Sequence, residues 1–100
     1  MNFIYEPALL NHMQAKRKET IIVEVISSNT SDFDVTELHV YLANEKKALF
    51  FLEQKHFRSV ETPHGQVLLP PYHLEYDDTV TFGLKSFLGY KYITYKGIRL

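Results

Sequence analysis

The residues of this chain that could bind a metal ion are its histidines, of which five are present among 100 residues. Neutral imidazole is a common metal ligand. No two of the five have the i, i+4 spacing of a helical metal site or the i, i+2 spacing of a strand site. A metal centre therefore requires convergence in the folded chain, and the candidate ligands are His56, His64 and His73. The alternative is that the histidines are scattered over the surface.

Carboxylates and serines offer less support for catalysis. Asp77 and Asp78 are adjacent and follow Glu75, but acid–base chemistry needs two carboxylates that converge on a cleft with separated pKa values. Adjacent aspartates are more typical of a turn, and we predict a turn there. No serine lies in a strand–elbow–helix motif, and the four glycines are isolated, so no phosphate-binding loop is present. We expect no enzymatic activity.

The C-terminal segment from residue 79 to residue 100 carries four basic residues and no acidic one. On small β-barrels, aromatic side chains stack with bases while lysines follow the phosphates. The segment therefore predicts a possible nucleic-acid surface, whose candidate residues are Lys85, Tyr90, Lys91, Tyr92, Lys96 and Arg99. Strand alternation places Tyr90 and Tyr92 on one face and Lys91 on the other. An ordinary half-buried strand is the alternative interpretation.

The composition indicates one globular domain spanning residues 1–100, with 45% hydrophobic residues and a net charge of -1. Such a charge creates no general attraction to nucleic acid or to an anionic membrane. The absence of cysteine excludes disulfides and cluster ligation by thiolate within this chain, and it suits a cytoplasmic location. We expect no signal peptide and no membrane partner, because the apolar runs are short.

Hydrophobic patterning predicts one helix and about seven short strands. A strand covers Asn2–Tyr5, and Pro7 suits the first position of a helix that continues to Lys18. The β-branched run "TIIVEVIS" predicts a central strand. We also predict that "ELHVYLA" and "ALFFLEQ" form a hairpin through the polar turn "NEKK". Further turns are predicted at "PHGQ" and at Gly89.

These elements predict an α+β, mainly β fold. In it, the N-terminal strand and helix pack on a curved antiparallel sheet or partly open barrel. The helix has an apolar stripe of Leu9, Leu10 and Met13. We expect this stripe to be buried against apolar residues of the sheet, namely Ile22, Val23, Val25, Phe51 and Phe82.

The order of these elements, with the stretches "SVETPHGQVLL" and "LEYDDTVTF" and the closing "LKSFLGYKYITYKGIRL", resembles the HesB/IscA-like iron–sulfur cluster biogenesis proteins. The similarity is greatest to their small Firmicutes-type members. The matching residues are Val60, Glu61, Thr62, Gly65, Val67, Asp78, Val80, Phe82 and Lys85–Ser86. The resemblance implies a HesB-like fold and a role in iron–sulfur biogenesis. The family's metal ligands are cysteines, so no ligand is transferred to any position of this chain.

Three functions follow as hypotheses. The first is a cysteine-free relative of iron–sulfur biogenesis proteins, acting as a non-catalytic binding or accessory protein; any iron or iron–sulfur cluster would need ligands other than cysteine, and no cofactor is expected. The second is a small nucleic-acid-binding β-module that uses the basic, tyrosine-rich segment. The third is a homodimeric structural or interaction domain, because an aromatic content of 14% favours an adhesive β-surface. The expected partner is a protein or a second copy of the chain.

Overall fold

The computed structural model describes residues 1–29 and 34–100. Within them, seven strands and two helices follow the order β1 (Asn2–Tyr5), α1 (Pro7–Lys16), β2 (Thr20–Asn29), β3 (Asp34–Ala43), α2 (Glu45–Gln54), β4 (Arg58–Thr62), β5 (Gly65–Leu69), β6 (Glu75–Phe87) and β7 (Tyr90–Arg99). The predicted α+β, mainly β class is confirmed. Neither described helix has the length and apolar character needed to cross a membrane.

The strands form two mixed sheets, whereas we predicted a curved antiparallel sheet or partly open barrel. One sheet has three strands in the order β1-β6-β7, and the other has four in the order β3-β2-β5-β4. β1 runs parallel to β6, and β2 runs parallel to β5, whereas the other neighbours are antiparallel. The strand "TIIVEVIS" is central, as its apolar composition predicted.

The N-terminal strand and helix form as predicted. Pro7 occupies the start of α1, where its missing N–H has no intrahelical role. The helix ends at Lys16, two residues earlier than predicted, because Arg17 adopts a left-handed conformation with φ 55°. The backbone N–H of Lys18 then donates to the carbonyl oxygen of Met13, which caps the last turn.

The main core lies between the two sheets and includes one face of α1. It unites Leu9 and Met13 of the helix with Val23 and Phe82 of the two sheets, and Leu10 packs partly buried against it. Ile22 does not join this core, contrary to our prediction, because successive strand residues point to opposite faces. It lies instead in a second cluster with Phe51 on the other face of the four-stranded sheet.

The predicted strand "ALFFLEQ" is wrong, since this segment is part of α2. The Asn44 side chain accepts a hydrogen bond from the backbone N–H of Lys47 at 2.9 Å, which is a helix N-cap. Glu45 in the first turn favours the positive end of the helix dipole. Ala48 and Phe51 are then one turn apart and cover Ile22 of the sheet.

The turn predicted at Asp77 and Asp78 is also wrong, because β6 continues through both residues. Its pairing with β7 shifts register between Tyr76 and Thr81, which marks a β-bulge or similar irregularity. Gly97 with φ 91° lies opposite this shift. The shift allows Ile93 and Ile98 of β7 to be buried in the same core although they are five residues apart.

The polar stretch "SNTSDFD" predicts a loop in which Asn29, Ser31 and Asp32 are turn formers. Ser31 and Asp32 lie outside the described residues. On either side of them, Asn29 and Asp34 form the last pair of the β2–β3 ladder.

Candidate functional site

The most exposed apolar side chains of the described residues lie at the end of the β6–β7 hairpin. Phe87 is 67% exposed, Leu88 83% and Tyr90 79%. We refer to these three residues as the apolar tip. Soluble proteins expose single apolar residues routinely, but contiguous apolar groups that project into solvent mark interaction surfaces. The tip is therefore our candidate functional site.

The backbone of the tip is a two-residue turn. Phe87 pairs with Tyr90, and the two residues between them both have positive φ, 51° for Leu88 and 84° for Gly89. These are the φ signs of a type I′ turn, which favours asparagine followed by glycine. Leucine is unfavourable at the first of these positions because its Cβ is crowded in the left-handed conformation. The turn therefore holds an exposed leucine at a position that disfavours it.

The three-stranded sheet has one side that faces away from the core, which we call the outer face, and the Glu6 side chain lies against it beside Gly83. Cross-strand pairs place Phe87 beside Tyr90 and Lys85 beside Tyr92 on this face. Tyr92 is 49% exposed, and Ile4 of β1 is 50% exposed. No described helix packs there, because α1 contributes to the core on the opposite side of the sheet. The apolar tip thus continues into a partly aromatic surface.

The six residues predicted to bind nucleic acid do not form one surface. Lys85, Tyr90, Tyr92 and Lys96 share the outer face, as strand alternation predicted. Lys91 pairs with Ser86 on the opposite face of the strand, and it lines a cleft with His12 and Tyr92. Arg99 contacts two carboxylates of β6, with its Nη1 2.8 Å from Asp77 and its Nε 3.5 Å from Glu75. The structure therefore brings four of the six candidates together.

The three histidines predicted as metal ligands lie in two places. His56 and His73 line one cleft at the ends of β4 and β5. His64 lies in the β4–β5 turn, where its ring is 5.2 Å from the ring of Tyr5. Residues 1–29 and 34–100 contain no group of three or more histidine, aspartate or glutamate residues positioned to hold a metal ion.

A larger cleft of about 830 Å³ lies between the end of α1 and the start of α2. Its charged residues are balanced, with three basic and three acidic side chains, namely Arg17, Lys18, Lys46, Glu19, Glu45 and Glu61. A cleft with equal numbers of basic and acidic side chains favours neither an anionic nor a cationic ligand. The cleft is therefore a weaker candidate than the hairpin.

The sequence analysis missed Phe87 and Leu88 as functional candidates. A usable signal was present in "SFLGYKY". A glycine-containing hairpin turn usually carries polar residues, whereas this turn is flanked by large apolar ones. The pattern by itself indicates only a hairpin, because sequence alternation does not tell which side of a strand pair is covered.

No family model, curated protein or solved structure matches this chain. The resemblance to HesB/IscA-like proteins rests on its sequence motifs and stays a prediction.

Proposed function

We propose that this chain is a non-catalytic binding domain that docks onto another protein through the apolar tip of its β6–β7 hairpin. The main support for the proposal is the environment of Leu88, whose side chain is 83% exposed and whose backbone is in the left-handed conformation. Such a residue contributes little to the stability of the fold, because its side chain is mostly in solvent and its left-handed backbone conformation is unfavourable for leucine. A partner that buries Leu88 gives the residue a physical role.

The conformation of the tip favours binding because it is ordered in advance. Phe87 and Tyr90 form the last pair of the β6–β7 ladder, and this ladder holds the turn residues in one geometry. A docking element that is already ordered loses less conformational entropy on binding than a mobile loop does. Buried aromatic and leucine side chains can then anchor the contact.

The charge around the tip indicates the chemistry of the partner. Lys85 and Lys91 lie within a few residues of it on opposite faces, and residues 79–100 include no aspartate or glutamate. An apolar pocket with acidic residues at its rim would complement this arrangement. Electrostatic complementarity of this kind mainly improves association rate and specificity.

A second copy of the chain fits the tip less well. A symmetric dimer places the same patch of both copies in contact, so the lysines around one tip would face those of the other. Like charges across an interface oppose association. We therefore propose a different protein as the partner, and the sedimentation experiment described below tests for a homodimer.

The resemblance to iron–sulfur biogenesis proteins suggests an accessory role in that process. Because the chain has no cysteine, its proposed contribution is a docking surface and not a set of cluster ligands. The hairpin sequence "LKSFLGYKY" lies within the stretch that carries the resemblance. We therefore expect the partner to be a protein of the biogenesis machinery.

Leu88→Asn is the decisive variant, because asparagine followed by glycine is the preferred type I′ sequence. The variant should fold at least as well as wild type while it loses the apolar anchor. Leu49→Gln is the matched control, since Leu49 on α2 is also exposed, at 55%, but lies on another surface. Immobilised wild-type and variant proteins are used to capture proteins from an extract of the source organism. Each captured protein is then purified and its affinity measured against all three.

The proposal expects a protein whose affinity falls at least about tenfold with Leu88→Asn and is unchanged with Leu49→Gln. A captured protein that binds all three chains equally contradicts the proposed site. Sedimentation that shows a wild-type dimer and a monomeric Leu88→Asn variant also overturns the proposal, in favour of self-association through the tip.

Single-stranded nucleic acid is a second candidate ligand. It is favoured by the shared outer face of Lys85, Tyr90, Tyr92 and Lys96. Base stacking would depend on Tyr92 and not on the aliphatic Leu88. Fluorescence titration with an oligonucleotide at low salt distinguishes the candidates: binding that weakens with salt and with Tyr92→Ala, but not with Leu88→Asn, supports nucleic acid.

A further inference from the structure

A cleft on the far side of the β4–β5 hairpin from its turn collects several hydrogen-bond donors. It lies between the α2–β4 link, β4 and the β5–β6 link, and it encloses about 480 Å³. This volume is within the range of small-molecule sites, roughly 300–1,000 Å³. The donors are His56, Arg58, Tyr72, His73 and Tyr76. They belong to segments that are separate in sequence, so only the fold brings them together.

These donors are largely unused by the protein. In the described part of the chain, the side chains of His56, Arg58 and His73 have no hydrogen-bond or ion-pair partner. The Tyr72 hydroxyl accepts the backbone N–H of Val25 at 2.8 Å, so its own proton remains available for a ligand. Burial raises the pKa of Tyr76 against the opposing effect of Arg58, and its hydroxyl therefore stays protonated.

The cleft also has a single sign of charge. Among the described residues, no aspartate or glutamate lines it, and Arg58 supplies a permanent positive charge. Glu75 lies two residues after His73 in sequence, but its carboxylate contacts Arg99, as does the carboxylate of Asp77. The two arginines at this end of the molecule thus differ, because Arg99 pairs with two carboxylates of β6 whereas Arg58 has no ion-pair partner among the described residues. An anion with several acceptor oxygens would satisfy Arg58 and the imidazoles.

The walls of the cleft are apolar and partly aromatic. Pro70, Pro71 and Leu74 line it together with Tyr72 and Tyr76. A planar group attached to the anion would pack against these surfaces. The site therefore combines an anion-binding set of donors with room for a ring.

His56 gives a further reason to regard the cleft as a binding site. It has φ 59° and follows α2, where the N–H groups of Lys55 and Phe57 both donate to the carbonyl oxygen of Phe51. Glycine is the usual residue at such a left-handed helix end. A histidine at this position is less favourable for the backbone, yet it supplies a ring to the cleft.

We propose that this cleft binds a phosphate monoester that also carries a planar aromatic ring, of the nucleoside monophosphate class. In this complex, the Arg58 guanidinium holds the phosphoryl oxygens and the two imidazoles donate to them. The rings of Tyr72 and Tyr76 contact the planar base. This site is separate from the apolar tip, so either proposal can fail without the other.

The test uses wild-type protein titrated with AMP, UMP, phenyl phosphate, inorganic phosphate and the nucleosides without phosphate. Binding is followed by calorimetry and by amide chemical shifts in NMR spectra. We expect a nucleoside monophosphate to bind at least about tenfold more tightly than inorganic phosphate or the corresponding nucleoside. The shifts should centre on residues 56–58 and 70–76.

Three variants make the result specific. Arg58→Gln should reduce affinity at least about tenfold, whereas Lys16→Gln, an equal charge change at the exposed end of α1, should not affect it. His56→Gly should keep or raise the melting temperature, because it restores the preferred helix end, and it should still weaken binding. Retained affinity in Arg58→Gln, shifts centred on the outer face, or no phosphate-dependent binding would each overturn the proposal.

Discussion

The β4–β5 and β6–β7 hairpins each turn on two residues, and each contains a glycine with positive φ, but their surroundings differ. A Cβ added at Gly65 would lie 2.0 Å from the carbonyl oxygen of Glu19, whereas one added at Gly89 would meet nothing within 4 Å. The Thr62 hydroxyl donates to the Gly65 carbonyl oxygen at 3.0 Å and accepts the His64 N–H at 3.2 Å. The first hairpin is thus packed into the fold, and the second projects from it.

The difference indicates that the two hairpins have different roles, one in folding and the other in binding. The β4–β5 turn positions the end of the sheet beside α1, so its residues are needed for folding. The β6–β7 turn has few internal contacts at its end, so its side chains are available to a partner. Changes in the first hairpin should therefore lower stability, while changes at the second should alter binding.

Gly65→Ala should have the largest effect, since its Cβ would overlap backbone atoms at φ 140°. We expect it to lower the free energy of unfolding by about 3 kcal/mol or more. Gly89→Ala is the matched control, with φ 84° in open space, and should lower it by only about 1 kcal/mol. Urea unfolding of both variants measures the difference. Equal losses would contradict the contrast between the hairpins.

Thr62→Val should have the next largest effect. It keeps the side-chain shape but removes the hydroxyl that contacts Gly65 and His64 and lies 3.2 Å from the Tyr5 hydroxyl. A loss of about 1–3 kcal/mol in the free energy of unfolding is expected, because Tyr5 is buried and would lose its partner. Ser86→Ala on the exposed hairpin should change it by less than about 0.5 kcal/mol. Thermal or urea unfolding of both variants tests this, and an equally large loss for Ser86→Ala would show that the second hairpin is also structurally tied.

Leu88→Asn should raise the free energy of unfolding by about 0.5–1 kcal/mol, because asparagine tolerates the left-handed conformation. The same change is expected to weaken docking at least about tenfold, so stability and binding move in opposite directions. Denaturant unfolding of the wild type and the variant measures the predicted change in the free energy of unfolding, and the binding measurement is made on the same proteins. A destabilised variant would mean that the Leu88 side chain supports the fold and does not await a partner.

The smallest effect concerns the inner side of the exposed hairpin, where Lys91 and His12 line a common cleft. Burial lowers the pKa of His12, and the charges of Lys91, Lys16 and Lys18 lower it further. Folding therefore favours the neutral ring, and its contribution to stability is lost as the pH falls from about 6.5 through the folded pKa. Lys91→Gln should raise the pKa of His12 in an NMR titration and reduce this loss. An unchanged pKa would show that Lys91 does not face the ring.

Patterns within a single segment predicted much of the fold. β-branched residues in "TIIVEVIS" identified a central strand, and Pro7 with the stripe around Leu9 identified α1. Glycine marked both hairpin turns, because few other residues tolerate positive φ. Each of these signals depends on local backbone preference or on a clear period in hydrophobicity.

Two errors show where local patterns were insufficient. "ALFFLEQ" contains five apolar residues among seven, so its periodicity suits a buried strand or a helix. The Asn44 cap decided for the helix, and this signal was readable in the sequence. Asp77 and Asp78 are typical turn residues, but pairing with β7 keeps them extended, and Arg99 contacts Asp77 across the ladder.

The sequence by itself determined the fold class, the position of the central strand and the two glycine turns, because these follow from local conformational preference. Only the tertiary structure decided that His56 and His73 share a cleft without His64, that Arg99 is paired while Arg58 is not, and that the apolar tip projects. These properties depend on which faces become covered when two sheets and two helices pack. That outcome arises from contacts between residues far apart in the chain, which no local pattern contains.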